Sequence, residues 1–222
     1  MTQNVTISWA ATVRGIDLRT ALEAVMPHRD ATGNHPILSN ILVELRDDPT
    51  WANPDDGLRD EHRVLLLTAT DRYTIAHAIV PCEWYDHNGA WWGRTLLNPD
   101  DADDLHTRAR RANGRRGAPV TVTLTGGETH GYPNLYELTA REMFPKINLE
   151  RVALSDATLF KLTKSAKALR EGISLYGAPG GGVVATVGQR FVALAAPLRP
   201  GPDSVVNVWR ATLEAACRDW SS

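Results

Sequence analysis

Leu66-Leu67-Thr68-Ala69-Thr70-Asp71-Arg72-Tyr73-Thr74-Ile75-Ala76, running on to Pro81, returns in altered form as Val183-Val184-Ala185-Thr186-Val187-Gly188-Gln189-Arg190-Phe191-Val192-Ala193, running on to Pro197. Each copy reads strand, polar turn, strand, proline, because apolar and β-branched residues bracket a short polar break. Each also follows a short amphipathic helix, so the chain uses one structural unit twice. A duplicated sheet-and-helix unit without an evident catalytic cluster points to a scaffold or binding ring rather than to an enzyme.

Working outward, the first copy begins with a partly alternating strand over 5–13. A helix follows, with Asp17 as N-cap and Leu18, Leu22, Val25 and Met26 at helical spacing, and Pro27 ends it. A strand over 37–45, a polar loop over 46–61 and the hairpin itself complete this part. Asn98-Pro99-Asp100 starts a second helix over 101–112, and strands at 120–125 and 135–139 make a second hairpin. The segment 141–150 reads as a connector.

The second copy repeats the order: a strand at 151–154, then a helix capped by Asp156 or Thr158 with Leu159, Leu162, Ala166 and Leu169 on one face. Strands at 173–176, 182–186 and 190–196 follow, then a strand at 205–208 and a helix at 211–220. This copy lacks the closing hairpin of the first, and Val187 replaces Asp71. The apolar phase of each element predicts a core of Leu18, Leu22, Val25, Ile41, Leu65, Leu67, Ile75, Leu159, Leu162, Leu169, Val184 and Phe191. The expected organisation is an α+β chain of two units, 1–145 and a truncated 146–222.

Composition narrows the function classes. The 222 residues suit one large domain or two of about half that size. No stretch approaches the roughly 20 apolar residues of a membrane span, and Met1-Thr2-Gln3-Asn4 lacks the basic start of a signal peptide, so a cytoplasmic protein without a membrane partner is expected. Cys82 and Cys217 are too few for a disulfide framework and read as ordinary buried or half-buried thiols. The net charge of −2 argues against nonspecific coating of nucleic acid by the whole surface, and leaves the distribution of charge to decide.

That distribution is uneven. Lys161, Lys164, Lys167 and Arg170 recur every third residue, drifting slowly round one side of their helix and forming a stripe able to track a phosphate backbone. A solvated helix face is the competing reading of one such stripe. The first unit carries a second basic cluster, Arg108, Arg110, Arg111, Arg115 and Arg116, at the end of its second helix. Asp100, Asp101, Asp103 and Asp104 at that helix's start complement its macrodipole rather than bind metal. Two basic helices in two copies of one unit point to nucleic acid, with no base-reading motif. The seven histidines lack ligand spacing, so no metal or cofactor is expected. The glycine run 177–182 is followed by a strand and lacks the lysine of a phosphate loop, so it reads as a hairpin turn. Ser39, Ser165 and Ser174 sit in no nucleophile-elbow context.

Three stretches taken together resemble a known family. Pro36-Ile37-Leu38-Ser39-Asn40-Ile41-Leu42-Val43-Glu44, then Leu66-Leu67-Thr68-Ala69-Thr70-Asp71, then Phe144-Pro145-Lys146-Ile147 stand in the order in which bacterial DNA polymerase sliding clamps, the polymerase III β-subunit family, carry similar ones. The resemblance covers about 5–150 well and 151–200 more weakly. It implies a duplicated clamp domain, antiparallel sheets outside and two helices per repeat lining a central hole, with the basic helices toward duplex DNA. It further implies a homo-oligomeric processivity factor, a trimer if a two-domain chain closes a ring as phage clamps do. A DNA polymerase and a clamp loader would be its partners, in the cytoplasm or nucleoid of a bacterium or encoded by a phage. A pocket for short apolar partner peptides is expected beside the connector, bordered by Phe144, Pro145 and Leu149; packing the two halves together is the plainer role for those residues. The alternative function is a clamp-like interaction protein, a decoy or regulator that forms no ring. An enzyme is the least supported class.

Overall fold

The computed structural model describes residues 8–47, 63–86, 93–113, 118–125, 132, 133, 135, 154–178 and 182–196. The elements run β1 (Ser8–Arg14), α1 (Gly15–Val25), β2 (Ile41–Asp47), β3 (Arg63–Thr70), β4 (Thr74–Asp86), β5 (Gly93–Leu97), α2 (Pro99–Asn113), β6 (Pro119–Thr125), α3 (Asp156–Leu169), β7 (Ile173–Gly177), β8 (Val183–Val187) and β9 (Phe191–Ala195). Short 3-10 turns stand at Met26–His28 and Pro36–Ser39, so the stretch expected as the start of β2 is a turn that Pro36 initiates. The connector 141–150, with the domain boundary at 145/146, lies outside the described residues, as do the expected strands and helix beyond 196.

The strands form one antiparallel sheet in the order β5-β2-β3-β4-β9-β8-β7, with β1 paired to the far end of β4 and β6 paired to β1. The hairpins of the two repeat copies form, β3–β4 and β8–β9, whereas β6, expected to pair with 135–139, pairs with β1. They are joined through their equivalent strands: β4 pairs with β9, and Ala76 faces Ala193, its own counterpart in the sequence repeat. Two further main-chain bonds flank that pair, Ala196 N to Tyr73 O at 2.8 Å and Ile79 N to Arg190 O at 2.9 Å. Tyr73 and Arg190 are counterparts, and so are Ile79 and Ala196, so these bonds are mates about an approximate two-fold axis through the Ala76–Ala193 pair. The same correspondence places Gly188, not Val187, at Asp71. Gly188 has φ +56°, a left-handed conformation that costs glycine little, and a side chain there would run into the Glu171 carboxylate.

The helices cover one face of the sheet, with α1 packed between α2 and α3. The core joins Leu18, Leu22 and Val25 of α1, Ala102, Leu105 and Ala109 of α2, and Leu162 of α3 to alternate residues of the strands, including Leu65, Leu67, Ala76, Ala78, Ala185, Phe191 and Ala193. Gly15 permits the α1–α2 approach, since a Cβ there would lie 2.9 Å from Ala112 Cβ and 3.1 Å from Ala109 O. β3 is buried along its whole length. The helices cover one of its faces, and on the other the Tyr132 hydroxyl donates to Thr68 O (3.1 Å). Leu135, expected in a strand, is helical and buried, and 136–139 lie outside the described residues.

Of the twelve expected core residues, one is misplaced: Leu159 is 47% exposed. Thr158, Leu162 and Ser165 form the buried face of α3 instead. This phase is possible because the two polar members are satisfied, Thr158 by Ser155 Oγ (2.9 Å) and Ser165 by bonding inside the core. Leu169 is partly buried against the core. The caps differ as well. Ser155 caps α3, its Oγ accepting from Thr158 N (3.1 Å), where Asp156 or Thr158 was expected. Asp17 lies in the first turn of α1 rather than at its N-cap, which is Arg14. The start of α2 is as expected, with Asn98 Oδ1 accepting from Asp101 N (2.8 Å).

Candidate functional site

The basic residues divide by element. On α2, Arg108, Arg110 and Arg111 are exposed toward the C-terminal end. Arg108 reaches Asp104 at 3.4 Å, a surface pair whose screening leaves the guanidinium available. Arg115 and Arg116 lie outside the described residues. On α3, Lys164, Lys167 and Arg170 are exposed. Arg170 is the C-cap, in left-handed conformation (φ 58°), its N–H bonded to Ala166 O.

Lys161 departs from the stripe. Its side chain is only 20% exposed, and its ammonium is ion-paired with Asp71 in the β3–β4 turn. Burial works against the Asp71 carboxylate, yet the hydrogen bond from Lys161 and those from Thr74 outweigh it and hold its pKa below the usual value. The ammonium is committed to joining the two repeats, and the cations that α3 leaves in solvent are Lys164, Lys167 and Arg170.

Asp71 also starts a buried chain of hydrogen bonds. Its Oδ1 accepts from Thr74 Oγ1 (2.9 Å), which lies 3.0 Å from His28 Nδ1; His28 Nε2 lies 3.2 Å from Ser165 Oγ, and Ser165 Oγ donates to Ala24 O (2.7 Å). Both hydroxyl protons have carbonyl or carboxylate acceptors, so serving both hydroxyls as donor would take an imidazolium. Burial, and then the nearby Lys161, instead hold the His28 pKa down to about 4. At neutral pH the ring carries one proton and one bond of the chain must be shared. Ser165 and His28 are both fully buried, which rules them out as a nucleophile and base for an external substrate. His77, bonded to Thr68 Oγ1 (2.8 Å), is likewise pushed down to about 4 by burial. Burial raises the Cys82 thiol to about 12, so no thiolate forms there.

Across the two-fold, the equivalent turn makes an ion pair of its own. Arg190, in the β8–β9 turn, reaches Asp17 of α1 at 3.0 Å, and Asp17 also accepts from Arg14 at 2.6 Å. A cleft of about 540 Å³ opens beside this pair, walled by Ile16, Ala21, Ala78 and Leu169 and rimmed by Arg170 and Glu171. Among the described residues no cluster of His, Cys, Asp and Glu fits a metal, and no helix is long and apolar enough to cross a membrane. Phe144, Pro145 and Leu149 lie outside the described residues. The residues of the buried hydrogen-bond chain, a clasp between the repeats formed by His28, Asp71 and Ser165, are not marked as a unit in the sequence because each belongs to a different element; the one local signal is Ser165 in phase with Leu162.

By sequence the chain matches no family model and no curated protein. By structure it superposes on the DNA polymerase III β subunit of Thermotoga maritima with a TM-score of 0.59 at 11% identity, covering 88% of this chain and 66% of that one. The fold is that of the bacterial sliding clamps. The β subunit of Pseudomonas aeruginosa gives 0.57 at 9% identity, covering 90% of this chain and 69% of that one. The sliding clamp of Bacillus subtilis gives 0.52 at 12%, covering 90% and 67%. The chain thus spans about two thirds of the length of these clamps. At such identities the likeness is one of fold alone.

Proposed function

We propose that the chain is a non-enzymatic DNA tether of the sliding-clamp type, a processivity factor that holds duplex DNA without sequence preference. The observation that carries this reading is the clamp fold with α2 and α3 on one face of the sheet, each exposing cations: Arg108, Arg110 and Arg111, and Lys164, Lys167 and Arg170. Such a surface binds through counterion release, with a slope of log K against log salt near −0.9 per phosphate engaged, or about −5 if all six cations are used. Arg115, Arg116 and Lys161 belong to the same proposed surface by sequence, Lys161 as the residue that fixes α3 against the first repeat.

The proposed partners are double-stranded DNA, a DNA polymerase and a clamp loader, with the chain as a homo-oligomer, a trimer if the ring closes, acting in the cytoplasm and encoded by a bacterium or a phage. The partner-peptide pocket near Phe144, Pro145 and Leu149 and the division into 1–145 and 146–222 are part of this proposal. A specific observation keeps the interaction-protein alternative: Ile173 and Leu175 of β7 are 37% and 42% exposed at the end of the sheet path, which fits either a ring contact or another partner. Assembly mass by light scattering, with retention on circular against linear DNA, tests the reading. A ring stays on the circle and slides off free ends. A monomer without salt-sensitive DNA binding sinks the tether and leaves the interaction protein.

A further inference from the structure

The outer face of α3 carries an aromatic among its cations. Phe160 is 60% exposed, and Lys164 Nζ lies over its ring, 4.4 Å from the centroid. The neighbouring β3–β4 turn presents a second one, Tyr73, 67% exposed. The Asp71–Lys161 ion pair fixes this turn against the helical turn that carries Phe160. The turn is rigid: Asp71 Oδ1 accepts from Tyr73 N (3.1 Å) and Thr74 N (2.8 Å), and Thr70 Oγ1 accepts from Arg72 N (3.2 Å). Arg72, at φ 81°, is held in left-handed conformation, and its guanidinium donates to His35 Nε2 (2.8 Å).

We propose that Phe160 and Tyr73, with Arg72, Lys164 and Lys167 around them, form a platform that stacks unpaired nucleobases, so that this end of the basic surface takes single-stranded nucleic acid in addition to the duplex that the cations alone can hold. The chemistry favours this occupant for two reasons. Lys164 covers one face of the Phe160 ring, leaving the other for a base and placing the cation where the adjoining phosphate would lie. In a duplex the base faces are stacked inside and only phosphates and groove edges are presented, so protruding rings gain nothing from duplex that lysine alone would not supply. An apolar peptide would call for a groove of aliphatic side chains, whereas these rings stand out of a cationic surface. The nearby carboxylate Asp71 is engaged by Lys161, and Asp156, one turn before Phe160, lies in the first turn of α3, where its Oδ1 accepts from Ala157 N (2.8 Å) and its charge complements the helix dipole. The proposal rests on the nucleic-acid reading for its cations and adds the aromatic component.

The test is fluorescence anisotropy with a labelled oligothymidylate of about 16 nucleotides, within the site size of such surfaces, and with a duplex of equal length, over a range of salt. Phe160→Ala and Tyr73→Ala each weaken oligothymidylate binding by about tenfold, the scale of one lost stacking contact, and leave duplex affinity and its salt slope unchanged. Phe160→Trp retains single-strand binding. Both side chains are exposed, so unchanged thermal unfolding certifies the variants. The platform is overturned if the alanine variants leave oligothymidylate binding intact or weaken both ligands alike. Wild-type binding to duplex alone overturns the platform and spares the tether; binding to oligothymidylate alone does the reverse; binding to neither ends both.

Discussion

The turns at 71–73 and 188–190 occupy equivalent places about the two-fold and solve the same problem with opposite charges. In the first, the turn supplies the carboxylate and the opposing helix the ammonium, Asp71 to Lys161, with side chains 12% and 20% exposed. In the second, the turn supplies the guanidinium and the helix the carboxylate, Arg190 to Asp17, with 48% of Arg190 in solvent. The main-chain bonds around Ala76 and Ala193 are alike on both sides, whereas the side-chain clasps are not. Backbone pairing holds the repeats together and tolerates divergence. The first clasp has become a buried network reaching His28 and Ser165, and the second a surface pair at the mouth of a cleft. The helices differ in parallel: α1 is flanked by α2 and α3, while α3 leaves Leu159 in solvent.

The largest effects sharpen the helix comparison. Leu22→Ala in α1 and Leu162→Ala in α3, 0% and 1% exposed, each cost about 2–5 kcal/mol in urea unfolding. Equal costs mean that the two repeats share one cooperative core; a small cost for Leu162 alone would separate them. Acid attacks the clasp comparison next. His28 and His77 have folded pKa values of about 4 against 6.5 when free, so the unfolded chain binds their protons first. Their contribution is complete above about pH 6.5 and is lost as pH falls toward 4, on the order of 3 kcal/mol each. Asp71, whose pKa is also lowered, loses its share in still more acid solution. Unfolding at stepped pH checks the sign, and His28→Gln should flatten much of the slope.

The two ion pairs then separate by burial. Asp71→Asn, which strands Lys161 beside His28, costs about 3 kcal/mol, whereas Arg190→Gln costs under about 1 kcal/mol. Equal losses in the two variants would refute the contrast between clasp and surface pair. The smallest effect is Leu159→Ala, expected within about 0.5 kcal/mol of wild type; a core-sized loss would mean that this flank is covered in solution.

Much of the local structure is legible in the sequence. Polar turns between β-branched runs mark both hairpins, and Asn98-Pro99 starts α2 where expected, because each signal is carried by adjacent residues. Hydrophobicity and approximate phase place Leu159 in the core, and the phase that α3 adopts is obscured because two of its members, Thr158 and Ser165, are polar. Burying them costs little once partners are supplied, and those partners come from Ser155 nearby and from Ala24 far along the chain.

By itself, then, the sequence determined the repeat, the antiparallel hairpins, the amphipathic helices and the two concentrations of positive charge, all of which depend on neighbouring residues and on periods of two or 3.6. Only the tertiary structure decided that the repeats join through β4 and β9, that Lys161 turns from the basic stripe into an ion pair with Asp71, and that His28 bridges Thr74 and Ser165. The reason is physical. A strand edge or a charged side chain is satisfied by whichever complementary group the fold brings within about 3 Å, and the choice between solvent and a partner 90 residues away in sequence is made by packing that no local pattern encodes.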